Sequence, residues 1–383
     1  MKIVYVYPKF TALAGTERVL IDKMNYLANQ EGIEVFAITH EQGNHLFAYQ
    51  LSPKVIHYDL DVRYYLLYRY NIFLRFLLRK VYNRLLSKKF EDAISRIDPD
   101  IVITTTYHSY LVSMISKYSR KFAIVVESHI DKRFVHSSDS GNFLSWTNRI
   151  HGYYDMHVLL RRIGSFDVLV ALHKHDADDW SKYIRSCVIY NFVHLNPTGK
   201  LSSLESRRVI FVGRYTPQKG IPDLLKVWAI VHSKFPDWSL EMYGDGVLNE
   251  NLKVEAKRIG VNVHKAAPNI YDHYLASSIF VMTSLYEPFG LVLPEAMSCG
   301  LPVIAFDCPY GPRNIITDGI DGYLIKNRNL DDFALKLCML MESIELRRRL
   351  GQAAILSSQR YSEDQIMPQW IRLFEELATT YRQ

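Results

Sequence analysis

Glu287 and Glu295 stand eight residues apart in Glu-Pro-Phe-Gly-Leu-Val-Leu-Pro-Glu-Ala, residues 287–296. The apolar run Ile279-Phe-Val-Met-Thr before them reads as a buried strand, and Leu293 to Cys299 reads as a helix that stops at Gly300-Leu-Pro302. Glu287 then sits in the strand-to-helix loop and Glu295 in the first turns of the helix. A helix N-terminus lies between them, where free backbone N–H groups attract phosphate. Two carboxylates that accept from hydroxyls, with a phosphate site in the middle, suit a nucleotide-sugar. The same segment equally suits an ordinary buried strand–helix unit with acidic surface caps.

A second motif weighs against that plainer alternative. Phe211-Val-Gly-Arg214-Tyr-Thr-Pro-Gln-Lys219-Gly220 follows a short apolar strand, Val209–Val212, and precedes a helix. Arg214 offers a planar fork of donors and Lys219 a compact charge, both suited to phosphate. Open α/β sheets bind ligands beyond the carboxyl ends of their strands, where both motifs fall.

The segments Gly-Arg-x4-Lys-Gly at 213–220 and Glu-x7-Glu at 287–295 resemble those of the retaining glycosyltransferases of family GT4, which have the two-domain GT-B fold. Ala14-Gly15-Thr-Glu-Arg18, Met242-Tyr-Gly-Asp-Gly246, Ile189-Tyr-Asn-Phe-Val and the run from Cys308 to Ile325 resemble further parts of it, the last as found in members that build bacterial surface polysaccharides. The chain departs at Ala14, where a Gly is usual, at Val247 (usually Pro) and at Asn314 (usually Glu). Ala14 is expected to make its loop slightly less free, since only Gly reaches positive φ without steric cost.

The resemblance implies roles. Arg214, Lys219, the N–H groups of Phe289, Gly290 and Leu291, and the Gly15 loop would hold the diphosphate. Glu295 would bind the ribose and Glu287 the donor sugar. His129, after the strand Ala123–Glu127, would contact the sugar or the reaction centre. The base site is placed near Lys265-Ala-Ala-Pro-Asn269, with uridine the expected base. No metal or other cofactor is expected, because positive side chains and helix dipoles stabilise the leaving diphosphate.

Apolar strands alternating with helices imply parallel sheets covered on both faces. Expected strands are 3–7, 35–39, 55–58, 101–105, 123–127, 168–172 and 188–190 in the first half, then 209–212, 240–243, 261–264, 279–283 and 303–306. The expected fold is α/β of GT-B type, two Rossmann-like parallel-sheet domains facing across a cleft. Residues 1–193 form the acceptor domain, 194–208 a linker and 209–361 the nucleotide-sugar domain, with 362–383 crossing back to the first. Hydrophobic residues make up 48% of the 383-residue chain, enough for two cores. Four cysteines without metal spacing suit a reducing compartment. The start shows neither a signal peptide nor, anywhere, a run long enough to span a membrane.

Residues 61–90 carry eight Lys/Arg and one acid, and Leu66, Tyr70, Phe73, Leu74, Leu77, Leu78, Val81 and Leu85 share one helical face. Such a helix can lie on an anionic membrane, and 63–89 is the expected contact; the other account packs this face on a sheet and leaves the basic face solvated. A net charge of +6, near balance elsewhere, and the lack of a recognition motif argue against nucleic acid. The expectation is a cytoplasmic, peripheral, retaining enzyme that moves a hexose or N-acetylhexosamine from a nucleotide-sugar, UDP-linked, to a lipid-linked saccharide in capsule or O-antigen assembly. The alternatives are a non-catalytic nucleotide-binding subunit of the same fold and a nucleotide-sugar 2-epimerase.

Overall fold

The computed structural model describes residues 1–130, 132, 156–246 and 250–381. Val247 therefore lies outside the described residues, as do the side chains of Phe73 and four other residues in the helical segments. The chain divides into two compact units, one of Met1 to Ile189 joined by Met367–Gln383, the other Tyr190–Ile366.

The first unit is built on a parallel sheet of β1 (Lys2–Val6), β2 (Glu34–Thr39), β3 (Ile56–Asp59), β4 (Ile101–Thr105), β5 (Ala123–Ser128), β6 (Val168–Ala171) and β7 (Ser186–Val188). Its order is β3-β2-β1-β4-β5-β6-β7. The second is built on β8 (Arg208–Val212), β9 (Ser239–Tyr243), β10 (Val261–His264), β11 (Ile279–Met282), β12 (Val303–Asp307) and β13 (Gly322–Lys326), in the order β10-β9-β8-β11-β12-β13. Both orders reverse direction once, between β1 and β4 and between β8 and β11. At such a switch point the two neighbouring loops turn to opposite faces and open a crevice at the carboxyl ends of the strands.

The central strands are wholly buried on both faces, which is why they read as continuous apolar runs: β4 is Ile-Val-Ile-Thr-Thr and β11 Ile-Phe-Val-Met. All twelve expected strands are present within two residues at each end. Strand β13 was missed. It is only five residues long, and it starts on Gly322, whose added Cβ would lie 2.4 Å from the Val303 carbonyl oxygen of neighbouring β12. The close approach of two strands needs the glycine that makes the segment look like a turn.

The units meet in sequence at Ile189/Tyr190, so the expected linker, 194–208, belongs wholly to the second. It is held there: Ser298 Oγ accepts from Asn196 N–H at 3.0 Å and Ser202 Oγ donates to the Ser277 carbonyl at 2.5 Å. The helix Glu363–Tyr381 enters the first unit at Met367, where Tyr381 Oη donates to the Ser119 carbonyl at 2.9 Å.

Helix α2 (Ile72–Ile97) leaves the expected apolar face of its first half exposed. The residues packed in the first core are Leu86, Phe90, Ile94 and Ile97, while Tyr70 before it and Leu74, Leu77, Val81 and Leu85 on it are 40–59% exposed. At 3.6 residues per turn the exposed stripe 74-77-81-85 points to the opposite side of the helix from the core stripe 86-90-94-97. The apolar pattern therefore changes face near residue 85, and the first half of α2 carries its apolar stripe on the solvent side.

Candidate functional site

In the second unit the loops after β8 and β11, the two strands at the switch point, are bound to each other. Lys219 Nζ donates to Glu287 Oε2 at 2.5 Å, and Ser284 Oγ donates to the same oxygen at 3.2 Å. The backbones join as well: Leu285 N–H donates to the Gln218 carbonyl at 2.7 Å, and Thr283 Oγ1 to the Lys219 carbonyl at 3.1 Å. Gly220 makes this approach possible. Its φ of +64° favours glycine, and an added Cβ there would sit 2.0 Å from the Thr283 carbonyl oxygen.

Glu287 is 8% exposed, and its side-chain position rests on a backbone that is anchored separately. Its N–H donates to the Pro309 carbonyl, and its own carbonyl accepts from Tyr310 and Gly311, each at 2.7–3.0 Å. The turn that follows, Phe289-Gly290-Leu291, leads into the helix Val292–Ser298, with Gly290 at φ +94°. The N–H groups of Phe289, Gly290 and Leu291 donate to no described residue. Unsatisfied N–H groups beside an ammonium are the donor set an anion takes up.

Glu295 sits in the first turn of that helix, 1% exposed, and accepts from Tyr274 Oη at 3.2 Å. Burial and the neighbouring Glu295 push the Tyr274 phenol well above its ordinary range, so it stays a proton donor to the carboxylate. Arg214 is exposed on the loop after β8. That loop is stitched to the Gly-Asp-Gly turn after β9: Tyr215 N–H donates to the Asp245 carbonyl at 2.7 Å, and a Cβ on Gly244 would lie 1.9 Å from the Gly213 carbonyl oxygen. Asn269 is exposed on the loop after β10, and its amide donates to Asp272 Oδ2 at 2.7 Å.

The structure thus brings Lys219, Glu287 and the 289–291 turn together, puts Glu295 at the start of the same helix, and leaves Asn269 occupied by its own helix. Three residues that hold this arrangement were not found from the sequence. Tyr274 faces Glu295. Arg328, at φ +64°, donates to the Thr283 and Ser284 carbonyls at 2.9 and 2.8 Å. Gly311 lets its helix touch the Glu287 backbone. Each acts across a distance in sequence that no local pattern marks.

Gly15 and His129 lie in the first unit. Gly15 is not a loop residue but the first residue of helix α1 (Gly15–Leu27), whose cap, Ala14, makes no side-chain hydrogen bond. Ala14 is extended, with φ −124°, so alanine there carries no steric cost and the expected loss of freedom does not arise. His129 follows β5, 4% exposed, with its Nε2 2.8 Å from Glu127 Oε2. Glu127 also accepts from Lys23 of α1. The ammonium beside it, with His129, holds the Glu127 carboxyl at about 2 despite full burial. Burial pushes the Cys299 and Cys308 thiols up to about 12, so neither is a thiolate near neutral pH.

Residues 197–357 match the family described as glycosyl transferases group 1. An uncharacterized glycosyltransferase of Haemophilus influenzae is 28% identical over 376 residues, covering 96% of this chain and 98% of that one. The amylovoran biosynthesis glycosyltransferase AmsD of Erwinia amylovora is 31% identical over 220 residues, 54% of this chain and 62% of its own. Among solved structures, Anabaena HepE in complex with UDP superposes with a TM-score of 0.72 at 19% identity, over 98% of this chain and 100% of that one. With the match at 197–357 and relatives named as glycosyltransferases, on a fold shared with GT-B structures, the chain is a glycosyltransferase.

Proposed function

We propose that the protein moves a hexose or N-acetylhexosamine from UDP to a lipid-linked saccharide during assembly of a surface polysaccharide, with retention at the anomeric carbon and without a metal ion. The observation that carries this is the Lys219–Glu287 pair at the switch point between β8 and β11, beside the unsatisfied N–H groups of 289–291. Lys219, Arg214 and those N–H groups offset the charge that builds on the leaving diphosphate. Glu287 accepts from hydroxyls of the donor sugar, Glu295 from the ribose diol, and backbone groups of the loop after β10 read the base. UDP is supported by the UDP-bound structure of similar fold, and the polysaccharide role by the amylovoran relative.

Release of nucleotide from UDP-, GDP- and ADP-sugars in EDTA, with and without lipid-linked saccharide acceptors, tests this. Turnover of a UDP-sugar that needs the acceptor and survives EDTA is expected. Loss of turnover in EDTA would overturn the metal-free mechanism, and inversion in the product would overturn retention.

An acceptor of this kind sits at a membrane. Among the described residues no helix is long and apolar enough to cross one. The exposed stripe Leu74, Leu77, Val81 and Leu85 instead suits a helix lying in the headgroup layer, flanked by exposed Arg84 and Lys88. Each basic residue near an anionic surface is worth about 1 kcal/mol, which adds to the burial of the apolar stripe. Flotation with vesicles containing phosphatidylglycerol is expected for the wild type. It is expected to fall at least about tenfold in Leu77→Glu/Val81→Glu, and likewise in Arg84→Glu/Lys88→Glu. Equal flotation of all three, or a concentration-dependent dimer through this face, would place the stripe elsewhere than on a membrane.

A further inference from the structure

One side chain of the second unit reaches both loops of the candidate site from a third. Arg328 lies between β13 and the helix Leu330–Glu342, with its backbone at φ +64°. A residue with a long side chain takes this left-handed conformation at a steric cost, and keeps it only where its surroundings hold it there. The guanidinium passes over Phe306 of β12, 4.3 Å from the ring centroid, and ends beyond β11. There Nη2 donates to the Thr283 and Ser284 carbonyls at 2.9 and 2.8 Å. Nη1 donates to Asp223 Oδ2, in the first turn of the helix Ile221–His232. Nε donates to Asn327 Oδ1 at 3.0 Å, so each nitrogen of the group has an acceptor.

The two segments joined by this fork are the ones that carry Lys219 and Glu287. Thr283 and Ser284 are each 0% exposed, so their carbonyls past the end of β11 need donors from within the protein, and Arg328 supplies them. Ser284 Oγ donates in turn to Glu287 Oε2. On the other side, Asp223 N–H donates to the Gly220 carbonyl at 3.0 Å, and Gly220 follows Lys219 directly. A Cβ on Gly220 would lie 2.0 Å from the Thr283 carbonyl oxygen and 3.3 Å from Arg328 Nη1. The arginine therefore fills the seam between the two segments. It also offsets the negative charge of Asp223, which stands close behind Lys219 in the chain and would act against a diphosphate held there.

We propose that Arg328 is a positioning residue of the donor site: its fork holds the Lys219 and Glu287 loops at the spacing in which their side chains meet, and it neutralises Asp223 beside them. The effect on a sugar nucleotide rests on the function proposed above, while the spacing of the loops does not. A lysine at this position keeps the charge but not the planar fork, which reaches two carbonyls and a carboxylate in fixed directions.

Amide hydrogen exchange in the ligand-free protein reports the spacing. Leu285 N–H, which donates to the Gln218 carbonyl across the two loops, is expected to exchange at least about tenfold faster in Arg328→Gly and in Arg328→Lys, with Val281 of β11 unchanged. UDP affinity is expected to fall about tenfold in both variants and sugar transfer about 10²-fold. Arg328→Gly is expected to melt above Arg328→Ala, because glycine takes this φ without steric cost, and yet to bind UDP no better. A merely structural role would make the more stable variant the better binder. Leu285 exchange at the wild-type rate in Arg328→Gly, or wild-type UDP binding in Arg328→Lys, overturns the proposal. The exchange arm needs no ligand, so a wild type that binds no UDP counts against the proposed function and leaves the positioning role to be decided by Leu285.

Discussion

Glu287→Ala is expected to lower sugar transfer by about 10²–10³-fold while leaving UDP affinity unchanged or tighter, and Lys219→Ala to lower both. The opposite signs on nucleotide binding follow from the 2.5 Å pair between the two side chains, which are 10% and 14% exposed. In the free protein Glu287 competes with a diphosphate for the Lys219 ammonium. Truncating the carboxylate frees the ammonium for the diphosphate, but it removes the acceptor for the sugar's hydroxyls. Truncating the lysine removes the positive charge and leaves a poorly solvated carboxylate facing the phosphates, which repels them. The fold should survive Glu287→Ala, because the Glu287 backbone is held by Pro309, Tyr310 and Gly311 without help from the side chain. Isothermal titration with UDP alongside initial rates checks the crossing. Equal weakening of UDP binding in both variants would show that Glu287 is part of the phosphate cradle rather than its competitor.

Gly311→Ala is expected to destabilise the protein by about 2–4 kcal/mol and to weaken UDP binding more than tenfold. Its Cβ would lie 2.0 Å from the Phe289 carbonyl oxygen, 2.5 Å from the Phe289 carbonyl carbon and 2.8 Å from the Glu287 carbonyl oxygen. All three are backbone atoms and cannot turn aside as a side chain would. Relief requires the 287–290 turn to move, and that turn carries Glu287 and the N–H groups read here as the phosphate donors. The strain and the functional loss should therefore appear together. Gly319→Ala is the control: its φ of +74° carries a backbone cost, but no heavy atom lies within 4 Å of the added Cβ. It should lose about 1 kcal/mol and bind UDP normally. Thermal melts and UDP titrations of both variants check this, and a Gly311→Ala protein that melts and binds as the wild type does would remove the turn from the site.

The strands were legible because parallel strands covered on both faces must be apolar throughout. Ile101–Thr105 and Ile279–Met282 announce themselves for that reason. The loops bearing Arg214, Lys219 and Glu287, and the helix start bearing Glu295, were legible because glycine, proline and charge cluster where a strand ends and a helix begins. Other features depend on pairings that no local pattern carries. Strand order decides that the loops after β8 and β11 are neighbours, and only then do Lys219 and Glu287, 68 residues apart, share a hydrogen bond. The 104-residue separation of Lys23 and Glu127 hides their pair in the same way. Helix α2 shows the limit of periodicity. The spacing of Leu74, Leu77, Val81 and Leu85 correctly marks one face of a helix, but it cannot say what that face meets. The core takes the opposite face through Leu86, Phe90 and Ile94. The sequence by itself determined all but one of the strands, the two-sheet class and the charged residues at the loop tips, because these depend on neighbours in the chain. The ion pairs, the close glycine contacts and the exposed stripe were decided by the tertiary structure, because they depend on which distant segments the packed sheets bring within reach.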